Sequence, residues 1–175
     1  MKNNSIAYLL LGSNLGNQSL NLEQAISLIS SDYNEVIEIS KTYKTAAWGN
    51  LNQDDYLNVV LKVETQLNPF ELLDRLLKIE NQLGRTRGKE HWQPRLIDID
   101  ILYYNDEIIA SDNLKIPHPY IAQRRFTLVP LNDIAADFMH PILKLTNKEL
   151  LAECEDKGEV LSTSIDLIIS NSGQL

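Results

Sequence analysis

The sequence contains few of the features that mark secreted, membrane-spanning or P-loop proteins. Its single cysteine, Cys154, excludes an internal disulfide and fits a reducing cytoplasm, where we expect a quiet, partly buried thiol. The first apolar run, Ile6–Leu11, is too short to cross a membrane and does not resemble a signal peptide. No Gly-x-x-x-x-Gly-Lys-Ser/Thr motif occurs. We therefore expect a cytoplasmic protein with no membrane contact.

Positive charge is also scarce, and its distribution is uneven. The 16 Lys and Arg residues face 24 Asp and Glu residues, for a net charge of −8, which argues against a general nucleic-acid surface. Yet the segment 85–95 carries four cations and one acid, and Arg124 and Arg125 form a second positive group. A compact positive area on an acidic body predicts a small polyanion, such as a nucleotide, as the ligand.

The length of 175 residues and the 43% hydrophobic content predict one domain over residues 1–175. Hydrophobic periodicity and turn residues divide it into elements. We predict strands at 6–11, 35–47, 56–65, 96–103 and 126–131, and helices built on Leu22, Ala25, Ile26 and Ile29, on residues 69–83, and on 145–153. The strands 35–47 and 56–65 would form a hairpin with a long connection, which is typical of a binding loop. Residues 170–175 read as a frayed end.

The strand after Arg95 carries a pair of acids on one face. The opposite face is predicted to carry Ile97, Ile99, Ile101 and Tyr103. Asp98 and Asp100 would lie roughly 7 Å apart and repel each other unless a cation lies between them. Magnesium suits this pair, because it uses one or two carboxylates and takes other ligands from water and phosphates. The adjacent cationic loop would then clamp those phosphates. A solvated strand face with ordinary surface charge is the alternative.

The helix over 69–83 places an acid on its apolar stripe. This stripe is predicted to consist of Leu73, Leu76, Leu77 and Leu83, with Glu80 among them. A carboxylate there is costly unless it is paired. We predict that an arginine of the following loop pairs with Glu80. A glutamate at the rim that reaches water is the alternative.

Several short segments carry a resemblance to a known family. They are Leu11–Gly16, Tyr43–Thr45, Asp55–Asn58, Ile79–Glu80, Gly84–Arg87, Trp92–Leu102, Ile116–Pro119 and Arg124–Phe126. In this order and spacing, from about residue 6 to 151, they resemble the 6-hydroxymethyl-7,8-dihydropterin pyrophosphokinases of folate biosynthesis. The tail, 154–175, lies outside the resemblance and is left unassigned.

The resemblance implies both a fold and a reaction. The fold is α+β: a ferredoxin-like, mainly antiparallel sheet with helices on both faces, an α/β/α sandwich. The reaction transfers pyrophosphate from ATP to the hydroxymethyl group of 6-hydroxymethyl-7,8-dihydropterin and leaves AMP. Its partners would be these two small molecules, without nucleic acid, and the oligomeric state stays open, a monomer included. Two alternatives remain: a non-catalytic nucleotide- or pterin-binding module on the same fold, and a metal-dependent nuclease.

The resemblance also implies roles for individual residues. Asp98 and Asp100 would hold two Mg²⁺ ions that bridge the triphosphate. With these two acids, Arg85 and Arg95 would be the catalytic residues. The ATP-binding set would be Arg85, Arg87, Arg95, Ile101, Leu114, Lys115, His118 and Arg124, with Ile101, Leu114 and Lys115 flanking adenine. The pterin-binding set would be Thr45, Tyr56, Asn58 and Phe126, with the ring stacked between Tyr56 and Phe126.

Three positions depart from the pattern of the family. His91 stands where many relatives have arginine, Gln93 replaces a usual glycine, and Ala46–Trp48 replaces a segment that contains Pro-Pro. These changes bear on loop closure more than on the type of reaction. We expect the loops 45–54 and 86–94 to be mobile without ligands and ordered when both substrates bind.

Overall fold

The computed structural model describes residues 4–31, 33–46, 54–84 and 96–169. The strands in this part of the chain are β1 (Ser5–Ser13), β2 (Asn34–Ile39), β3 (Tyr43–Thr45), β4 (Tyr56–Thr65), β5 (Asp98–Tyr104), β6 (Ile109–Ala110), β7 (Lys115–Ile116) and β8 (Val160–Ser162). The helices are α1 (Gln18–Ile29), α2 (Pro69–Gln82), α3 (Arg125–Ala135) and α4 (Asn147–Glu153), with a 3₁₀ turn at Ile121–Gln123. The predicted loop residues 47–53 and 85–95 lie outside the described residues, as do residues 170–175.

One six-stranded sheet organises the fold. Its order is β5-β1-β4-β3-β8, and β2 pairs with β4 as well. Every strand pair in the sheet is antiparallel, and β6 and β7 form a separate antiparallel ribbon. The predicted pairing of the second and third strand regions is confirmed, because β4 runs antiparallel to both β2 and β3.

The predicted single strand over 35–47 is wrong, because it is interrupted at residues 40–42. The Ser40 hydroxyl accepts a hydrogen bond from the backbone N–H of Val60 at 2.9 Å. The backbone N–H of Lys41 donates to the Asp133 carboxylate at 3.0 Å. Ser40 still donates its backbone N–H to Val60 O at 2.9 Å, and these side-chain contacts accompany the break between β2 and β3.

Helices cover both faces of the sheet. The helices α1 and α2 pack on the face that carries Leu9, Leu11 and Leu61, whereas α3 and α4 pack on the face that carries Leu10 and Val60. The buried residues of α1 are Leu22, Ala25, Ile26 and Ile29, as predicted. This arrangement confirms the α+β fold with an antiparallel sheet between helical layers.

The start of α2 is capped as predicted, but its stripe is rotated. Asn68 and Glu71 form a capping box, and Gly84 takes a φ of +90° just after the helix. The buried residues are Pro69, Leu72, Leu76, Ile79 and Glu80. Leu73 and Leu83 are only partly buried against the same cluster, so the predicted stripe was wrong by about one residue.

The predicted strand over 126–131 is wrong, because these residues belong to helix α3. Leu128, Leu131 and Ala135, at the helical spacing i, i+3 and i+7, pack against the sheet. Pro130 lies inside this helix. The strand-forming residues Phe126 and Val129 dominated the sequence pattern, but packing against the sheet outweighs local propensity.

A bulge in β5 corrects the predicted face of Tyr103. Along β1 and β5, Tyr8 pairs with Tyr103 but Leu9 pairs with Ile101, so Leu102 is an extra residue. Tyr103 therefore turns to the face of α3 and α4, where its hydroxyl donates to Asn147 Oδ1 at 2.7 Å.

The described part of the tail after Cys154, residues 155–169, adds a strand that the sequence pattern did not reveal. The strand β8 pairs with β3, and Ile165, Leu167 and Ile169 pack against the core cluster of α1 and α2. Cys154 is buried, with 2% of its surface exposed. Within the described ranges, the helices are too short or too polar to span a membrane.

Candidate active site

The carboxylate pair lies on the sheet face that α3 and α4 cover. Asp98 pairs with Gly12 of β1 and Asp100 with Leu10. On the other side of β1, Gly12 pairs with Asn58 of β4. Asp98, Gly12 and Asn58 thus form one row across three adjacent strands, on the same face. Both acids are half-buried.

Gly12, in the middle of this row, has no side chain, and its neighbours occupy the space that a side chain would need. A Cβ atom there would lie 2.9 Å from Asn58 Oδ1 and 3.4 Å from Tyr56 Cδ1. The first distance is shorter than real Cβ contacts allow, so a larger residue would displace the Asn58 amide. Gly12 therefore lets the Asn58 amide and the Tyr56 ring lie close against β1 beside the carboxylate pair.

Glu80 of α2 forms a hydrogen bond with the backbone of β5. The alternative prediction, a glutamate at the rim that reaches water, is wrong, because Glu80 is buried. Its side chain is 2% exposed, and its Oε1 accepts a hydrogen bond from the backbone N–H of Ile99 at 2.7 Å. Ile99 lies between Asp98 and Asp100, and among the described strands β5 is the last on this side of the sheet. Helix α2 thus supplies the partner that a further strand would supply. The predicted arginine partner lies outside the described residues.

His118 faces the carboxylate pair from the turn after β7. Its backbone N–H donates to Leu102 O of β5 at 2.9 Å, and a cis peptide bond joins Ile116 to Pro117. Its Nε2 lies 4.0 Å from Asp100 Oδ2, and its Nδ1 accepts from the Tyr120 N–H at 3.2 Å. Burial, with the Arg124 cation, lowers the pKa of His118 to about 4, against the opposing pull of Asp98. The ring is therefore neutral near pH 7, with its proton on Nε2.

Arg124 lies between two aromatic rings at the start of α3. Its guanidinium carbon is 4.6 Å from the centre of the Tyr120 ring and 5.6 Å from that of Phe126. Burial lowers the pKa of Arg124, while Asp100 and Asp98 favour its charged form. The guanidinium stays charged, because an arginine pKa starts above 12. The rings hold this cation near the carboxylate pair.

The predicted pterin-binding residues come from three elements. Asn58 Nδ2 donates to Thr45 Oγ1 at 2.7 Å, and both residues are buried, at 3% and 4% exposure. Tyr56 pairs with Thr45 at the start of β4, and Phe126 lies in the first turn of α3. The sheet register therefore places Thr45, Tyr56 and Asn58 on the face of the carboxylate pair.

The predicted adenine-flanking residues are not all accessible through their side chains. Ile101 and Leu114 are 5% and 6% exposed and belong to the core cluster on the opposite face of the sheet. Lys115 is exposed on β7. A nucleotide base at this edge would therefore contact backbone atoms of Ile101 and Leu114 rather than their side-chain tips.

The predicted cationic loop is flanked by two residues that lie close together. Arg85, Arg87 and Arg95 lie outside the described residues. Its flanking residues, Gly84 and Leu96, are in contact, because a Cβ at Gly84 would lie 3.1 Å from Leu96 Cδ1. The two residues that flank the predicted loop therefore lie close together, just before β5.

Asn14 and Gln18 were not predicted as site residues, although both support the site from the β1–α1 turn. Asn14 is 1% exposed, and its Nδ2 lies 3.5 Å from Asp54 O. Gln18 Nε2 donates to Asp55 O at 2.7 Å. These contacts hold the residues just before β4. The motif Leu11–Gly16 contains Asn14 only as part of a turn, and it does not reach Gln18.

Comparison with known proteins decides the family. Residues 8–136 match the model of the 7,8-dihydro-6-hydroxymethylpterin-pyrophosphokinase (HPPK) family. The chain belongs to this family. It is 42% identical over 146 residues to the 2-amino-4-hydroxy-6-hydroxymethyldihydropteridine pyrophosphokinase of Aquifex aeolicus, covering 83% of this chain and 90% of that one. The enzyme of the same name from Bacillus subtilis is 43% identical over 132 residues, 75% of this chain and 78% of that one.

Solved structures share the fold. The HPPK-DHPS A437G protein of Plasmodium falciparum, crystallised with SDX-DHP, superposes with a TM-score of 0.71 at 20% identity. The match covers 87% of this chain and 46% of the other, so the chain spans less than half of that longer protein. The family assignment confirms the predicted resemblance and the predicted pyrophosphokinase function in folate biosynthesis.

Proposed function

We propose that this chain transfers the pyrophosphoryl group of ATP to 6-hydroxymethyl-7,8-dihydropterin through a site built on the row Asp98–Gly12–Asn58. Adjacent strands lie about 4.8 Å apart, so this row spans roughly 10 Å. We infer that phosphates bind at the carboxylate end and a flat bicyclic ring at the amide end. Between them, Gly12 lets the Asn58 amide and the Tyr56 ring lie close to the sheet, because a Cβ there would be 2.9 Å and 3.4 Å from their atoms. This row is the observation that supports the proposal.

The donor set of the carboxylate end fits magnesium. Asp98 and Asp100 offer two half-buried carboxylates, and magnesium completes such sites with water and substrate phosphates. In the part of the chain that the structure describes, no group of three or more His, Cys, Asp or Glu side chains forms a complete metal cage. A site that needs its substrate to complete it suits a magnesium–ATP enzyme. When bound, two ions would neutralise the triphosphate and polarise the bonds that change.

The cationic and neutral donors around the pair would hold the phosphates. Arg124 contributes a fixed positive charge, since Tyr120 and Phe126 restrict its position. His118 would contribute an Nε2–H donor, since its Nδ1 accepts from the Tyr120 N–H. Arg85, Arg87 and Arg95 would complete the clamp from the cationic loop. Phosphoryl transfer depends mostly on such positioning and charge stabilisation.

The amide end would recognise the pterin. The hydrogen bond from Asn58 Nδ2 to Thr45 Oγ1 fixes the amide orientation, with Oδ1 on the side of Gly12. A carbonyl oxygen held in this way accepts an N–H of a pterin edge. Tyr56 and Phe126 would stack on the two faces of the ring.

The reaction then needs no protein nucleophile. The hydroxymethyl oxygen forms a bond to the β-phosphorus of ATP, and the bond between that phosphorus and the bridging oxygen of AMP breaks. The hydroxyl proton is released to water. The chain contributes by holding the reacting oxygen close to the phosphorus and in line with the departing AMP.

Product analysis tests this proposal. The purified chain is incubated with ATP, magnesium and the hydroxymethyl dihydropterin, and the nucleotides are separated by chromatography. We expect AMP, formed only when the pterin is present, and a loss of roughly a hundredfold or more for Asp98→Ala and Asp100→Ala. Asp106→Ala, an exposed aspartate in the turn after β5, is the matched control. Release of ADP, or full activity of both site variants, would contradict the proposal.

A further inference from the structure

The segment 155–169 follows α4 and lies beyond the residues that match the family model, 8–136. It nevertheless contacts two elements of the proposed pterin site. Its first part reaches the start of α3, and its strand β8 lies beside β3. Phe126 lies in the first turn of α3, and Thr45 is the last residue of β3. This segment therefore contacts both α3 and β3, the two elements that carry Phe126 and Thr45 of the proposed pterin site.

At α3, the segment supplies a helix cap that the helix itself lacks. The N-cap residue is Arg124, whose side chain makes no capping hydrogen bond. Instead Asp156 Oδ2 accepts from the backbone N–H of Arg125 at 3.0 Å. Its Oδ1 accepts from the Gly158 N–H at 2.8 Å, which fixes the carboxylate. An acid here satisfies one of the free N–H groups of the helix and suits the positive end of its dipole.

This arrangement releases Arg124 from a capping role. A Ser, Thr, Asn or Asp at the N-cap normally satisfies these N–H groups, but an arginine does not. Because Asp156 provides the cap from a distance, position 124 is free to carry the cation that lies between Tyr120 and Phe126. Asp156 therefore sets the position of both Arg124 and Phe126 through the backbone.

At β3, the segment provides the outer neighbour of a very short strand. Thr45 pairs with Val160 and Lys44 with Leu161. The backbone N–H of Thr163 donates to Thr42 O at 2.9 Å, so Thr42 and Thr163 form a hydrogen-bonded pair. Since such pairs alternate in antiparallel sheets, Lys44 and Leu161 form the next one. Without β8, three-residue β3 would keep only β4 as a strand partner.

The segment also crosses from one face of the sheet to the other. Cys154, just before it, is buried among the residues of α3 and α4, whereas Ile165 and Leu167 pack against the cluster of α1 and α2. The Thr163 hydroxyl donates to Thr42 O at 3.1 Å and accepts from the Ile165 N–H at 3.2 Å at this crossing. Both ends of the segment are thus anchored in the core.

We propose that the segment 155–169 is a positioning element of the pterin site, which holds β3 and the first turn of α3 at a fixed separation. Thr45 and Phe126 then meet the ring without rearrangement, and Arg124 meets the phosphates. This inference rests on the proposed function. It assigns a role in substrate binding to residues that do not touch the substrate.

The steady-state kinetics of point variants in the full chain test this role. Asp156→Ala removes the cap, and we expect KM to rise about threefold to tenfold for both the pterin and ATP, because α3 carries contacts to both. Leu161→Pro removes a strand N–H beside Lys44 only, so it raises KM for the pterin and leaves KM for ATP unchanged. Leu161→Ala is its control, because this side chain is 49% exposed and the N–H remains.

Thr163→Val is a milder variant in case the proline disturbs folding. It removes the two hydroxyl contacts and keeps the side-chain volume, and we expect a pterin KM increase of about twofold to fivefold. Pterin binding at equilibrium, followed by its fluorescence, is measured in parallel, and thermal melting checks that each variant is folded. A merely structural role would lower melting temperatures and leave both KM values of the folded enzyme unchanged.

The outcomes separate this inference from the proposed function. If the wild-type chain produces AMP and the folded variants keep both KM values, the positioning role is wrong and the function stands. If the wild-type chain binds the pterin without producing AMP, the function is wrong, and the binding constants of the variants still decide the positioning role. A wild-type chain that does not bind the pterin overturns both.

Discussion

Replacing Glu80 tests how the fold holds the carboxylate pair. The Glu80 side chain is 2% exposed, and its 2.7 Å hydrogen bond satisfies the N–H of Ile99 in the edge strand that carries both site acids. In Glu80→Ala this buried N–H loses its partner, which costs about 1–3 kcal/mol, and the truncated side chain leaves a cavity that adds to the loss. We expect urea unfolding to show a loss of free energy of at least that size.

Glu80→Gln is the matched variant, because its amide oxygen still accepts from the Ile99 N–H. We expect it to retain most of the stability that Glu80→Ala loses. Activity should follow the same order, since a loosened Ile99 moves Asp98 and Asp100 together. Glu23→Ala, an exposed glutamate on α1, controls for the loss of a surface acid. Equal losses in Glu80→Ala and Glu80→Gln would refute this reasoning, because the charge rather than the hydrogen bond would then carry the effect.

Three further predictions concern other parts of the molecule. Gly12→Ala places a methyl group 2.9 Å from Asn58 Oδ1, so we expect a higher KM for the pterin, measured by steady-state kinetics, with KM for ATP little changed. Tyr43→Phe removes the 2.8 Å hydrogen bond to Asp133 between β3 and α3, and chemical denaturation should show a loss of about 1 kcal/mol. Burial lowers the pKa of His140, so the unfolded chain binds the proton more readily and stability should fall as pH drops below about 6.5. His140→Asn, which keeps an acceptor for the N–H groups of Ile142 and Leu143, should flatten that part of the pH–stability curve.

Much of the fold was predictable because local patterns and packing agree. The residues Leu22, Ala25, Ile26 and Ile29 have a helical period and are all buried in α1. The bounds of β4 are those predicted from its alternation, 56–65. At the start of α2, Asn68 and Pro69 act as cap and first residue, as their chemistry predicts.

The errors arose where contacts distant in sequence outweigh the local pattern. Residues 126–131 contain strand-forming side chains, but their burial against the sheet follows a helical period. The extra residue at Leu102 reverses the face of Tyr103, and alternation alone does not reveal a bulge. The strand β8 has no strong pattern of its own and depends on β3 for a partner.

The candidate site was predictable in its residues but not in its supports. The alternation placed Asp98 and Asp100 on one face, and the register confirms that placement. The requirement for glycine at position 12 depends on the neighbouring strand, because the side chain that a Cβ would meet, Asn58, is 46 residues away in the chain. The contacts of Glu80 with Ile99 and of Asp156 with Arg125 join distant elements through backbone N–H groups, which a sequence pattern does not encode.

A crystal structure of the chain with magnesium, a non-hydrolysable ATP analogue and the hydroxymethyl dihydropterin tests the central proposal most directly. We predict magnesium on the carboxylates of Asp98 and Asp100, phosphates beside Arg124 and His118, and the pterin ring at Asn58 between Tyr56 and Phe126. Metal and phosphates bound away from β5, with the two carboxylates in contact with water alone, would contradict it.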